Sequence, residues 1–267
     1  MTSRKIQLNH YPATQPTGRP PLLFVHGAYV NSSCWEYNFI PFFQHRGYDC
    51  YTIDLSGHGA SEGRERIDDF SLNDYVDDLT WALQRIDQSA IVVAHSMGCR
   101  VLERYLGKGS VAAAIFLSPI PTTGTAGSAI QLALRYPGFI EAIDAAVNGN
   151  ISPKTGELIT KIYFSPDVAP HEALQFLPML GPESQRAVAE MAMPDLRWGS
   201  ARNRVPALVS GGTEDAVFPA SMLHFMASAW RADLFRAQGA GHMLMLDPQW
   251  PEIARFMLDW LARRLPA

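Results

Sequence analysis

The chain is poor in cysteine, in net charge and in long apolar runs. Its 267 residues include only three cysteines, Cys34, Cys50 and Cys99, with no C-x-x-C pairing. We therefore expect reduced, buried thiols, and neither a disulfide framework nor a zinc site. The formal net charge of −4 is too small to indicate a charged partner, and we expect no binding to nucleic acid.

No segment has the pattern of a membrane span or of a leader peptide. The first residues, 1–8, are polar and basic, and no apolar run in the chain approaches the length of a bilayer span. We therefore expect a cytoplasmic protein without a membrane span. With 47% hydrophobic and 18% charged residues, the composition is globular, and the length suits one main α/β domain with an insertion.

Short apolar segments alternate with helical patterns, which predicts an α/β fold with a mostly parallel, doubly wound sheet. The predicted strands are 6–10 at an edge, 22–25, 49–53, 90–94, 111–117, 207–210 and 234–236. The predicted helices around them are 35–45, 71–86, the segment after Ser96, 219–229 and 250–265. Ser71 and Asp74 form the acidic, capped first turn of the second of these helices.

The interval 121–204 breaks the alternation. It shows no strand pattern, only helical patches at 139–147, 156–163, 171–177 and 183–193 separated by proline and glycine. We expect a helical insertion here, with residues 1–120 and 205–267 forming the two parts of the α/β core. The patches are strongly apolar, so surface facing a site would favour an acyl or aromatic substrate. The alternative is that these helices form an ordinary outer layer of the sheet.

The segment 91–98 carries a buried strand directly into a serine that lies between small residues. Apolar residues recur at helical spacing after Ser96, so the strand turns sharply into a helix at this position. Ala94 and Gly98, two residues before and after the serine, leave room for such a turn. The pattern resembles the G-x-S-x-G nucleophile elbow of the α/β-hydrolase family, with Ala94 in place of the first glycine. The alternative is a serine that caps an ordinary helix.

A serine hydroxyl is a poor nucleophile unless a histidine takes its proton. His242 follows the last predicted strand in the sequence Gly-Ala-Gly-His, where the glycines allow a loop to bring the imidazole back over the sheet edge. His26, His58 and His95 also lie near strand ends. Each of them precedes a small residue inside a turn, where a structural role is the simpler explanation.

The acid of a triad is expected after the penultimate strand of the family. Asp215 follows the strand 207–210 at that position and would orient His242 and stabilise its protonated form. Glu214 is the adjacent alternative. Asp54 is a third choice. It begins the sequence Asp-Leu-Ser-Gly-His-Gly, which resembles a turn of this family whose residues shape a loop and do no chemistry.

Two backbone N–H donors are expected to stabilise the oxyanion of the tetrahedral intermediate. The N–H of Met97, directly after the serine, supplies one. The early His-Gly-Ala sequence resembles the family's HG-x motif and nominates the N–H of Ala28. Tyr29 and Met243 are candidate pocket residues, whereas Trp35 is expected in the core.

The resemblance therefore implies an α/β-hydrolase with a helical cap, a Ser96–His242–Asp215 triad, and no cofactor or metal. We expect it to hydrolyse carboxylic esters of small molecules, with an apolar acyl or small aromatic group, through an acyl-enzyme. Haloalkane dehalogenases and epoxide hydrolases of this fold carry an aspartate at the elbow, and Ser96 argues against both. Met243 stands where C–C hydrolases usually have tryptophan, which weakens that reading.

Two alternatives stay open at this stage, because one fold hosts many chemistries. The same triad could serve a lyase, a C–C hydrolase or a cofactor-free oxygenase. Some members of this fold are small-molecule receptors that retain the triad with vestigial hydrolase activity.

Overall fold

A single seven-stranded sheet organises the chain. The computed structural model describes residues 4–195 and 205–266. Its strands are β1 (Gln7–Tyr11), β2 (Leu22–Val25), β3 (Cys50–Asp54), β4 (Ile91–His95), β5 (Ala113–Leu117), β6 (Ala207–Gly212) and β7 (Asp233–Ala237). Their order in the sheet is β1-β3-β2-β4-β5-β6-β7. Only β1 runs antiparallel, against β3, so the predicted mostly parallel sheet is confirmed.

Helices cover both faces of this sheet. Those that alternate with the strands are α1 (Phe39–Gln44), α2 (Leu72–Leu83), α3 (Met97–Leu106), α9 (Ser221–Trp230) and α10 (Trp250–Arg264). Five more lie between β5 and β6: α4 (Ala126–Arg135), α5 (Phe139–Val147), α6 (Pro153–Tyr163), α7 (Pro170–Ala173) and α8 (Gln185–Ala192). The described part of the interval 121–204 contains no strand, as expected, and residues 196–204 lie outside the described residues.

The sheet is buried on both faces because successive side chains of its strands point into two different cores. Leu23 and Val25 of β2 belong to the apolar cluster under α2, α3 and α9. Leu22 and Phe24 belong to the cluster under α1 and α10. This double burial explains why the strands are continuously apolar in sequence.

The chain between β2 and β3 departs from the predicted helix over 35–45. Residues Ser32–Trp35 form a 3-10 turn that begins at Asn31, whose side chain accepts a hydrogen bond from the amide of Ser33 at 3.0 Å. The α-helix starts only at Phe39, so the prediction was wrong at its N-terminal end. Trp35 is fully buried in the core, as expected.

Other predicted helices differ mainly at their ends. The Ser71–Asp74 capping box of α2 is confirmed, but the helix stops at Leu83, three residues before the predicted end. The predicted helix over 171–177 is two elements, α7 and a 3-10 segment, Leu174–Met179, that contains Pro178. Helix α4 was not predicted from the sequence.

Within residues 4–195 and 205–266, no helix is both long and apolar enough to cross a membrane. The three cysteines are buried and free, as predicted.

Candidate active site

Ser96 lies in a strained turn between β4 and α3. Its backbone has φ 49° and ψ −112°, a conformation that costs on the order of 1–3 kcal/mol in a residue other than glycine. A Cβ atom on Gly98 would lie 2.6 Å from the carbonyl oxygen of His26, so glycine is required two residues after the serine. The position two residues before the serine is less constrained, since Ala94 fits there with its side chain fully buried. The strand–turn–helix geometry predicted at Ser96 is therefore present.

His242 and Asp215 form a buried pair. Nδ1 of His242 lies 2.9 Å from Oδ2 of Asp215, and both side chains are almost fully buried. The other carboxylate oxygen of Asp215 accepts hydrogen bonds from the amides of Val217 at 2.8 Å and Phe218 at 2.9 Å. The carboxylate is thus held by backbone donors on one side and meets the imidazole on the other.

The main chain of His242 is also anchored. Its carbonyl oxygen accepts hydrogen bonds from Oγ of Ser118 at 3.0 Å and from Nε2 of His95 at 3.1 Å. Because a carbonyl oxygen only accepts, His95 carries its proton on Nε2. Burial, together with the neighbouring His242, holds the pKa of His95 well below its usual value, so this imidazole is neutral and serves as a structural donor.

The two backbone amides nominated for an oxyanion lie at adjacent strand ends. Ala28 follows β2, and Met97 follows β4, the strand that pairs with β2 in parallel. Neither amide donates to an acceptor among the described residues. A Cβ atom on Gly27 would lie 2.7 Å from Nδ1 of His95 and 3.1 Å from Cβ of Ser96, which shows how closely the two turns approach.

The remaining acidic candidates have other surroundings. Glu214 is exposed, and Nδ1 of His242 contacts Asp215 instead. Asp54 shapes a loop: its carboxylate accepts the amides of Ser32 at 2.8 Å and Ala60 at 2.9 Å. The structural role expected for the Asp54 turn is confirmed.

The histidines His26 and His58 likewise have structural partners. Nε2 of His26 accepts a hydrogen bond from the amide of Leu55 at 3.1 Å, and burial, with repulsion from His58, lowers the pKa of His26 to about 4. His58 pairs with Glu183, with Nε2 and Oε2 3.1 Å apart.

A cavity of about 240 Å³ borders Ser96 and His242. Ala28, Tyr29 and Met243 line it, as do apolar side chains from helices α4, α5, α6 and α8. Met97 and Trp35 are not among the lining residues. The hydroxyl of Ser96 makes no hydrogen bond with another described residue, and the side chain borders the open cavity. Tyr29 and Tyr163 also line the cavity. Burial raises the pKa values of their phenol groups, so both are protonated.

Several cavity residues had no distinctive sequence signal. Thr125 and Ser128 line the cavity from the beginning of α4, a helix that the sequence reading missed. Asp247, fully buried, accepts the amides of Ser165 at 2.8 Å and Gly241 at 3.0 Å, and burial raises its pKa. An acid shortly after a histidine is too common a pattern to identify such a role.

Among residues 4–195 and 205–266, no group of three or more His, Cys, Asp or Glu side chains is arranged to bind an ion. Ser96, Asp215 and the Ala28 amide follow the carboxyl ends of parallel strands, where ligands of open α/β sheets bind.

The fold is that of the α/β hydrolases. The chain matches the family model described as "Alpha/beta hydrolase family" over residues 22–252. The chain therefore belongs to the alpha/beta hydrolase family.

The relatives with similar sequences are named for different activities. Non-heme chloroperoxidase CPO-A1 of Kitasatospora aureofaciens is 33% identical over 105 residues, which are 38% of this chain and 37% of that protein. Epoxide hydrolase 1 of Caenorhabditis elegans is 29% identical over 163 residues, 61% of this chain and 32% of that protein. These matches span about a third of the length of the relatives, so they do not fix one activity.

Solved structures match over almost the whole chain. The putative non-heme bromoperoxidase BpoC from Mycobacterium tuberculosis H37Rv superposes with a TM-score of 0.78 and 21% identity, covering 97% of this chain and 96% of that one. The esterase EaEST from Exiguobacterium antarcticum gives a TM-score of 0.76 and 18% identity, with the same coverage. At this identity the likeness shows the shared fold.

Proposed function

We propose that the protein is a serine hydrolase that cleaves carboxylic esters of small molecules through an acyl-enzyme. The observation that carries the proposal is the 2.9 Å contact between Nδ1 of His242 and Oδ2 of Asp215, beside the same cavity that Ser96 borders. This contact fixes the tautomer that leaves Nε2 of His242 free to accept a proton.

The first half of the reaction forms the acyl-enzyme. Oγ of Ser96 attacks the ester carbonyl carbon while Nε2 of His242 takes the hydroxyl proton. The tetrahedral oxyanion is stabilised by the amides of Ala28 and Met97. As the C–O bond breaks, the leaving alkoxide takes the proton from His242 and departs as the alcohol.

Water completes the cycle. His242 removes a proton from a water molecule, and the resulting hydroxide attacks the acyl carbon. The second tetrahedral intermediate collapses, Ser96 recovers its proton from His242, and the carboxylic acid is released. Throughout, Asp215 orients His242 and stabilises its protonated form.

The cavity supports an apolar acyl or small aromatic substrate. Apolar side chains from α4, α5, α6 and α8 line it, with Tyr29 and Met243 near the proposed triad. Burial of apolar substrate surface against these side chains would favour binding. We propose that the helices between β5 and β6 act as the cap of the site. The cytoplasmic location expected from the sequence stays a prediction.

A haloperoxidase activity is the second candidate, because a non-heme chloroperoxidase is among the relatives. It is tested by bromination of monochlorodimedone with hydrogen peroxide and bromide. A receptor with a vestigial triad is the third reading.

The proposed function is tested with nitrophenyl esters of increasing acyl length and with a fluorophosphonate probe. We expect hydrolysis of short- to medium-chain esters and covalent labelling of Ser96, both lost in Ser96→Ala. A folded wild-type protein that neither turns over any ester nor reacts with the probe contradicts the proposal and favours the receptor reading.

A further inference from the structure

Two hydroxyl groups at the beginning of α4 line the cavity without a partner. Ser128 is only 9% exposed, and its hydroxyl makes no hydrogen bond with another described residue although the residue borders the cavity. Thr125, one helical turn earlier, also borders the cavity and does not cap the helix with its side chain. Both hydroxyls are therefore available to a molecule that occupies the cavity.

Serine at position 128 is not explained by the stability of the helix. Alanine is the better helix former, and serine competes for backbone hydrogen bonds. The Ser128 hydroxyl has no protein partner, so only a molecule in the cavity, water or a ligand, can replace the hydrogen bonds that it makes with water in the unfolded chain. A hydroxyl kept under these conditions calls for an explanation other than folding.

The surroundings of Ser128 favour a neutral acceptor. Among the described residues, the amides of Ala126, Gly127 and Ser128 have no backbone acceptor, so the start of this ten-residue helix carries a partial positive charge. Among residues 4–195 and 205–266, no Lys, Arg, Asp or Glu side chain lines the cavity. A carboxylate would thus lose its hydration without gaining a cation, whereas a carbonyl oxygen would gain a donor.

We propose that Thr125 and Ser128 form a second polar subsite, which binds a neutral carbonyl oxygen on the acyl chain, separate from the carbonyl that Ser96 attacks. The favoured substrates are then oxo-acyl esters rather than plain alkyl esters. The assignment of this oxygen to the acyl part rests on the proposed ester hydrolysis.

The first test compares methyl hexanoate with methyl 3-, 4- and 5-oxohexanoate by acid release at constant pH. We expect one oxo isomer to exceed the unsubstituted ester in kcat/KM by about 2- to 10-fold, the range of one neutral hydrogen bond. In Ser128→Ala this ratio falls to about one. Ser228→Ala, an exposed serine on α9 that does not line the cavity, serves as the matched control and keeps the wild-type ratio. A ratio that Ser128→Ala leaves unchanged, or no preferred isomer, overturns the subsite.

The second test separates the subsite from catalysis. Binding of the same esters to Ser96→Ala is measured by calorimetry, with and without Ser128→Ala. Tighter binding of an oxo isomer that depends on Ser128 supports the subsite even if the wild-type protein hydrolyses no ester. Hydrolysis without any Ser128-dependent preference leaves the proposed function and overturns the subsite. Tighter binding of monomethyl adipate, which carries a carboxylate, overturns the neutral acceptor.

A thermal melt of Ser128→Ala checks the premise. Because the hydroxyl has no protein partner, we expect a melting temperature equal to or above that of the wild type. A clear decrease would show that Ser128 serves the folded structure, and would overturn the argument that it is kept for a ligand.

Discussion

The main-chain carbonyl oxygen of Tyr163, at the end of α6, accepts a hydrogen bond from the amide of His242 at 2.9 Å. The same oxygen accepts the amide of Met243 at 3.0 Å. Asp247 ties the two segments together a second time, through the amides of Ser165 and Gly241. The position of the proposed base is therefore coupled to the last turn of a helix that lines the cavity.

Asp247→Ala should lower both stability and kcat. The change leaves two buried amides without an acceptor, at a cost of about 1–3 kcal/mol each, and frees the loop that carries His242. Denaturant unfolding and steady-state kinetics measure the two effects. Asp247→Asn keeps an acceptor oxygen and should be milder in both; equal losses in the two variants would contradict this positioning role.

Asp215→Asn should reduce kcat by about 10⁴-fold while the protein stays folded. An amide nitrogen facing His242 favours the wrong tautomer, and an uncharged side chain does not stabilise the protonated imidazole. The neighbouring Glu214→Gln is the matched control, since Glu214 is exposed, and its kcat should stay close to the wild-type value. Steady-state ester hydrolysis at one pH compares the two variants, and a larger loss in Glu214→Gln would reverse the assignment.

Much of the site was predictable because its residues follow strands that are easy to recognise. Short apolar runs identify β2, β4 and β6, and the parallel arrangement brings His26, Ser96 and Asp215 to one edge. The beginning of α1 was mispredicted because the apolar residues after Trp35 have helical spacing, whereas Asn31 starts a separate 3-10 turn. The spacing of apolar residues alone does not show that Asn31 caps a separate turn ahead of the helix.

The cavity was less predictable than the strand ends. A short polar residue such as Ser128 looks the same in sequence whether it faces solvent, a helix neighbour or a ligand. The anchoring role of Asp247 depends on backbone amides of Ser165 and Gly241, which carry no side-chain signature. Such contacts come from the packing of distant segments and need the three-dimensional structure.

Gly98→Ala should destabilise the fold and lower activity together. The added Cβ would lie 2.6 Å from the carbonyl oxygen of His26 and 2.8 Å from that of Val25, and both are backbone atoms that cannot rotate away. We expect a loss of about 1–3 kcal/mol in the free energy of unfolding. Gly127→Ala in α4 meets no atom within 4 Å and should be neutral or stabilising by up to about 1 kcal/mol. Urea unfolding measures the free energy of unfolding of both variants. If Gly98→Ala were no less stable than Gly127→Ala, the turn at Ser96 would be able to relax around the added methyl group.

A buried ion pair between His58 and Glu183 connects the loop after β3 with the segment before α8. The two atoms are 3.1 Å apart, and the other oxygen of Glu183 accepts hydrogen bonds from Tyr75 and from the amide of Ser184, each at 2.8 Å. Burial alone would lower the pKa of His58, and the nearby Arg64 acts in the same direction. The carboxylate of Glu183 outweighs them and raises it.

The pH dependence of stability follows from this raised pKa. The ion pair stabilises the folded state fully below the unfolded pKa of histidine, about 6.5, and this contribution is lost as the pH rises through the folded pKa of His58. The pKa of Glu183 is lowered, because its contacts with His58 outweigh burial, so its own contribution is lost only in acid. Glu183→Gln should therefore be most destabilising at mildly acidic pH, just below about 6.5, and the difference from wild type in the free energy of unfolding should narrow as the pH rises above that value.

Urea unfolding at several pH values measures this difference. Glu157→Gln breaks an exposed pair with Lys161 that involves no histidine, and its difference from wild type should stay flat over the same range. Tyr75→Phe removes one hydrogen bond of Glu183 but keeps the ion pair, so it should destabilise the protein while leaving most of the dependence on pH. If the Glu183→Gln difference were also flat, His58 would be neutral in the folded protein, and its contact with Glu183 would act as a hydrogen bond without the charge.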